Sequence, residues 1–225
     1  MVICLNTTYQ DHHPNHYLPF LENGADVVIW NPTEVTPRKY KGDLLKLLRV
    51  LKRDHPQAEI ALKTYCANSD PAIGAAADVG FPVHLIVDRG HGNAYKLARS
   101  LTFFAGLRLV RRILRKEYDC RGIEKIERVR GKILFLTPRG GDQMMDVRQG
   151  NLTRDLAARI GATPCFIPGD HWSKWGVSAY RQAFTFLKSV GVISEERLDE
   201  KAYPDPLPPS FFKGKCLPCL IHSSC

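Results

Sequence analysis

The sequence predicts an α/β domain on a mostly parallel sheet of about six strands, with helices on both faces. Three observations carry that prediction. Short β-branched and aliphatic runs alternate along the chain with longer stretches of helical spacing. Glycine or proline closes most of the helical stretches. No segment repeats, and 225 residues with 44% hydrophobic and 24% charged content is ordinary globular composition. That length suits one domain with a sizeable core, or at most two small ones.

Each element follows from its residues. VICL (2–5) is a buried strand, and PNHYLPFLEN (14–23) is a helix stopped by Gly24. ADVVIWN (25–31) is a second strand, closed by Pro32. The stretch 41–56 places Leu44, Leu45, Leu47, Leu48 and Leu51 at helical spacing and ends before Pro56. EIALKT (59–64) is a third strand. DPAIGAAADVG (70–80) is a small-residue helix with Pro71 in its first turn and Gly80 behind it. VHLIVD (83–88) is a fourth strand, followed by a long helical stretch over 93–118 with a break at Gly106. KILFLT (132–137) and TPCFIP (163–168) are the fifth and sixth strands, separated by a helix over 151–162. Residues 177–193 form the last core helix. YPDPLPP (203–209) cannot continue a helix or a central strand, so 201–225 is expected to be an extended Pro- and Cys-rich tail behind a domain over 1–200.

In an open parallel sheet, function gathers at the C-terminal ends of the strands. A cysteine, Cys66, follows the third strand; a carboxylate, Asp142, follows the fifth; a histidine, His171, follows the sixth. Each alone has an ordinary explanation. Free cysteine is among the most buried residue types, Asp142 sits in a Gly-Gly loop where Asp is common, and His171 directly follows a strand. Asp170 is too close to His171 in sequence to orient it, because neighbouring side chains point apart. Asp88 and Arg89 suggest a buried pair, and Gly90 and Gly92 a turn with Asn93 capping the helix behind it.

The order nucleophile, acid, histidine resembles the α/β-hydrolase superfamily. IALKTYCAN (60–68) lies over that family's strand and nucleophile elbow, with Thr64, Cys66 and Asn68 on the Gly, Ser and Gly positions. ILFLTPRGGDQMM (133–145) resembles the strand and loop carrying the acid, and CFIPGDHWSKWG (165–176) those carrying the histidine. VICLNTTYQD resembles the strand and loop that supply one oxyanion-hole amide, near Thr7 or Thr8. The resemblance covers roughly residues 1–193. It implies a Cys66–His171–Asp142 triad cleaving an ester or thioester of a small acyl substrate. The backbone N–H of Ala67 would be the second oxyanion donor. That donor and the helix dipole would both lower the thiol pKa. Some relatives, such as dienelactone hydrolases, use Cys in place of Ser. The same substitution also fits a silent hydrolase-fold protein that binds a ligand, a membrane or a partner. Thr64 and Asn68 are larger than the glycines they replace, and Asn tolerates unusual φ well. Ser69 is a second candidate nucleophile, placed inside the helix start.

The net charge is +9, with a cationic concentration between Lys96 and Lys132. The 93–118 segment sits where this superfamily inserts its cap, and the cap reading extends to residue 130. Its cationic side, Arg108, Arg111, Arg112 and Arg115, fits an anionic membrane surface; it fits equally a crossover helix with its charges in water. Nucleic acid is not expected, since aromatics are not interleaved with the basic residues. No cofactor or metal is expected either. The P-loop pattern is absent, and Cys216, Cys219, Cys225 and His222 are too cramped for an ordinary zinc finger. Acylation of those cysteines or a tail without a role are the other readings. No apolar run approaches the ~20 residues that span a bilayer, and the N-terminus lacks a signal peptide's pattern. A cytoplasmic location, peripheral at a membrane at most, is the expectation. The six strands match the superfamily's third to eighth. A fragment, a mis-started frame or a partner at the exposed edge strand 25–31 would account for the other two.

Overall fold

The apolar runs become strands because both sheet faces are covered, and the helical stretches supply the cover. The computed structural model describes residues 1–5, 17–30, 36–89, 108–118, 120–138, 157–169 and 173–206. The strands are β1 (Val2–Leu5), β2 (Val27–Trp30), β3 (Ala61–Tyr65), β4 (His84–Asp88), β5 (Ile133–Pro138) and β6 (Cys165–Ile167). The helices are α1 (Leu18–Glu22), α2 (Pro37–Asp54), α3 (Ser69–Asp78), α4 (Arg108–Tyr118) and α5 (Val177–Ser189). Short 3₁₀ turns cover Cys66–Asn68 and Ile123–Arg128.

The sheet order is β2-β1-β3-β4-β5-β6, and every neighbouring pair is parallel. The chain winds outward from β1 to β2, then restarts on the other side of β1 and winds outward through β3 to β6. That reversal makes a topological switch point at the C-terminal ends of β1 and β3, the place where open α/β sheets bind ligands. β2 is an edge strand, and Ile29 on it is 47% exposed.

Alternation along each strand feeds two cores. Val2, Cys4, Ile86, Leu134 and Leu136 pack against Phe20 of α1 and Tyr180, Phe184 and Leu187 of α5. Ile3, Leu62, Leu85, Val87 and Phe135 pack against Tyr40, Leu44 and Leu48 of α2 and Ile73 of α3. The alanines of α3 keep it close to the sheet and to α2. Gly122 allows a further close approach: a Cβ there would lie 1.9 Å from the Asp70 carbonyl oxygen.

Helix boundaries differ from the sequence reading where caps decide them. α2 begins at Pro37, earlier than expected, because Thr36 accepts a hydrogen bond from the Lys39 N–H and Pro37 takes the first helical position. α5 ends at Ser189 rather than 193, with Gly191 at φ 73 just beyond. Tyr203 meets Tyr180 edge to face with ring centroids 5.0 Å apart, and Asp205 accepts from the Ser178 N–H at 2.9 Å, so this segment lies against α5. Residues 207–225, with their three cysteines, lie outside the described residues. Among the described residues no helix is long and apolar enough to cross a membrane.

Candidate functional site

β3 runs through the middle of the sheet and delivers its last residue, Tyr65, to the switch point. The chain then turns through Cys66–Asn68 into α3. Cys66 takes φ 50, in the left-handed region that residues with a Cβ avoid. Among the described residues only Arg89 and Arg121 share that feature without being glycine. A strained corner between a central strand and a helix points a short side chain out of the chain's path, and Cys66 is half-buried there.

The unusual φ falls on Cys66 itself and not on Asn68, which is helical at φ −73. Thr64 fits despite its size. It is fully buried, and its Oγ1 lies 3.0 Å from the Ser69 Oγ and donates to the Ile86 carbonyl at 3.3 Å. That bond ties the end of β3 to the start of α3 across the corner. It also engages Ser69, which is fully buried, so Ser69 is a poorer nucleophile candidate than Cys66. The other described cysteines are placed differently. Cys4 and Cys120 are buried, and burial pushes the Cys4 and Cys165 thiols up.

The neighbouring strand tip is built from charge. Tyr65 pairs with Asp88 in register, so Cys66 and Arg89 are the first residues beyond the ends of two adjacent strands. Asp88 and Arg89 form a buried ion pair at 3.2 Å. The Trp175 Nε1–H donates to the same carboxylate oxygen that Arg89 pairs with, Asp88 Oδ2, at 2.6 Å. The Arg89 Nε and Nη2 groups find no hydrogen-bond partner among the described residues. Arg89 also takes φ 47 and lies 5.9 Å from the Tyr65 ring. The Asp88–Arg89 pair was legible in the sequence; Trp175 was not, since its partner is 87 residues away.

Of the other expected site residues, Thr7, Thr8, Asp142 and His171 lie outside the described residues. The strands preceding them, β1, β5 and β6, run parallel to β3 and end at the same rim. Ala67 is the second residue of the 3₁₀ turn. On α4, Arg108, Arg112 and Arg115 are exposed, and the side chain of Arg111 is not among those the structure describes. Among the described residues no three His, Cys, Asp or Glu side chains gather to hold a metal ion.

No family model matches the chain, and no curated protein does. Solved structures do. An esterase of Pyrococcus furiosus superimposes with a TM-score of 0.58 at 15% identity, covering 84% of this chain and 82% of its own. Esterase 2 of Thermogutta terrifontis, solved with butyrate bound, gives 0.55 at 14% identity, covering 86% and 84%. An acylaminoacyl peptidase of Pyrococcus horikoshii gives 0.51 at 16%, covering 74% of this chain and 30% of that larger one. At such identities the likeness is one of fold. The six-stranded parallel sheet with its helices has the α/β-hydrolase fold.

Proposed function

We propose that this α/β-hydrolase-fold chain hydrolyses an ester or thioester through Cys66, His171 and Asp142. The observation that carries the reading is the left-handed backbone at Cys66, on the corner between the central strand and α3. Backbone strain at a half-buried thiol beside the topological switch point costs stability and is retained where a protruding side chain is useful. The esterases with this fold add to the case.

In the proposed reaction the Cys66 thiolate attacks the acyl carbonyl after His171 takes its proton. The carbonyl electrons move onto oxygen, held by the Ala67 N–H and an amide near Thr7 or Thr8. As the first N–H groups of a helical turn have no partner within it, the Ala67 amide is suited to that task. The tetrahedral species collapses, the C–O or C–S bond to the leaving group breaks, and His171 returns the proton to that group. Water, deprotonated by His171, then hydrolyses the acyl-cysteine and regenerates the thiol. Asp142 orients the imidazole throughout.

The experiment is labelling with an electrophilic acyl probe, read by mass spectrometry, alongside turnover of a short p-nitrophenyl ester. The expected result is one label on Cys66 and loss of turnover in Cys66→Ala. Turnover that survives this substitution removes the nucleophile. A chain that takes no label and turns over no ester supports the second reading, a silent hydrolase fold that binds a ligand; the cationic cleft described next favours it.

A further inference from the structure

The structure carries a cavity, lined without Cys66, between α2, α4 and the segment after α4. It is a cleft of about 680 Å³, and seven of its ten lining residues are cationic. Arg38 and Lys41 come from α2, and Arg112 and Arg115 from α4. Arg121 and Lys125 close it from the loop and 3₁₀ turn beyond. We infer that this cleft binds a ligand bearing clustered phosphate groups.

Three features argue for a built site rather than a diffusely charged surface. First, the cations are held in place. Lys41 and Lys125 both donate to the Asp78 carboxylate, at 2.7 and 2.6 Å, which fixes them at the base of the cleft. The Arg38 Nη1–H donates to the Lys116 carbonyl at 3.1 Å, and Thr36 donates to Glu117 at 3.0 Å, pinning α2 to α4. Second, the lining is of one sign. All seven charged residues of the lining are cationic, and none of the ten lining residues is a carboxylate. Concentrating like charges costs stability unless an anion offsets them.

Third, the cleft has room at a place where helix propensity argues for a side chain. Gly42 lies in the interior of α2 and lines the cleft, and a Cβ built there would meet nothing within 4 Å. A helix-interior glycine is unfavourable, and no packing contact among the described residues requires it. The absence of a side chain leaves the cavity open between the two helices. Arg38 with Lys41 on α2 and Arg112 with Arg115 on α4 stand at i and i+3 along the lining, and guanidinium forks match phosphate oxygens. Leu109 and Ile113 stand 69% and 52% exposed on the same helix as Arg112, which makes a lipid headgroup one source of the phosphates and a soluble polyphosphate the other.

The test is calorimetric titration of the full chain with sodium tripolyphosphate at low salt. Three variants accompany the wild type: Arg112→Ala with Arg115→Ala, Gly42→Phe, and, as a control of equal charge change, Lys46→Ala with Arg53→Ala, both exposed and outside the cleft. The expected results are binding by the wild type and the control alike, and a loss of about tenfold or more in the arginine pair. Gly42→Phe, which leaves the charge unchanged, should abolish binding. Flotation with phosphatidylglycerol-containing vesicles separates the sources. Wild-type flotation that tripolyphosphate displaces and Gly42→Phe lacks assigns the site to a lipid headgroup; binding of tripolyphosphate without flotation assigns it to a soluble ligand. No heat of binding by the wild type, equal losses in the control, or Gly42→Phe binding like wild type overturns the inference. So does flotation that tripolyphosphate fails to displace and that every variant retains.

Discussion

The left-handed backbone at Cys66 makes a prediction whose sign, not only its size, can be checked. Cys66→Ala and Cys66→Gly both remove the sulfur, so its contacts cancel when the two are compared. At an ordinary position Gly is the less stable by ~0.5–1 kcal/mol, because it loses more chain entropy on folding. At φ 50 a Cβ crowds the following carbonyl oxygen, at a cost of ~1–2 kcal/mol that Ala retains and Gly lacks. Setting this against the entropic loss of ~0.4–1 kcal/mol leaves Gly ahead by about 0.5–1 kcal/mol. For a chain of 225 residues that is about 2–3 °C in Tm, with Gly melting higher. Urea unfolding followed by circular dichroism is the assay, read as a shift in midpoint at constant slope. If Ala equals or exceeds Gly in stability, the corner is not strained and the structural case for Cys66 goes with it. Neither variant is expected to hydrolyse a p-nitrophenyl ester, so the more stable protein would be an inactive one.

Three further outcomes are expected. Thr64→Val keeps the volume but deprives the buried Ser69 hydroxyl of its partner across the corner, costing about 1–3 kcal/mol in chemical denaturation. Gly42→Ala should raise stability by ~0.5–1 kcal/mol, since the added methyl meets nothing, and a scanning calorimeter would show it. His84 should make stability depend on pH. Burial pushes its imidazole below the ordinary 6.5, against the pull of Glu59, and its Nδ1 accepts the Lys132 N–H, which needs the neutral ring. A depressed folded-state pKa contributes stability that is complete above 6.5 and is lost as pH falls through the folded value. Stability of the wild type should therefore decline on acidification below that point, and His84→Gln should flatten the decline; parallel curves for the two proteins would rule His84 out as its source.

Much of this architecture was legible because it rests on local chemistry. Strand runs such as VHLIVD are apolar on both faces, which only a sheet covered on both sides accommodates. The start of α2 was also written locally, in Thr36-Pro37, although a reading from leucine spacing alone placed it at residue 41. The Trp175 bond to Asp88 and the Thr64 bond to Ser69 and Ile86 were not legible, because hydrogen bonds between distant or out-of-phase residues leave no periodicity behind. The cationic segment was visible as a run of arginines. Its meeting with Arg38 and Lys41, some 70 residues earlier, was not.

By itself, then, the amino-acid order determined the element types, their alternation and hence the parallel sheet, because burial and backbone propensity act over a few neighbouring residues. Only tertiary structure decided the rest. The path of β3 into α3 forced Cys66 into a left-handed conformation that nothing in YCAN demands. The packing of α4 against α2 gathered seven cations and one unfilled glycine into a single cleft. Both depend on where elements far apart in the chain come to rest, and that is set by the collective packing of two cores rather than by any one stretch of residues.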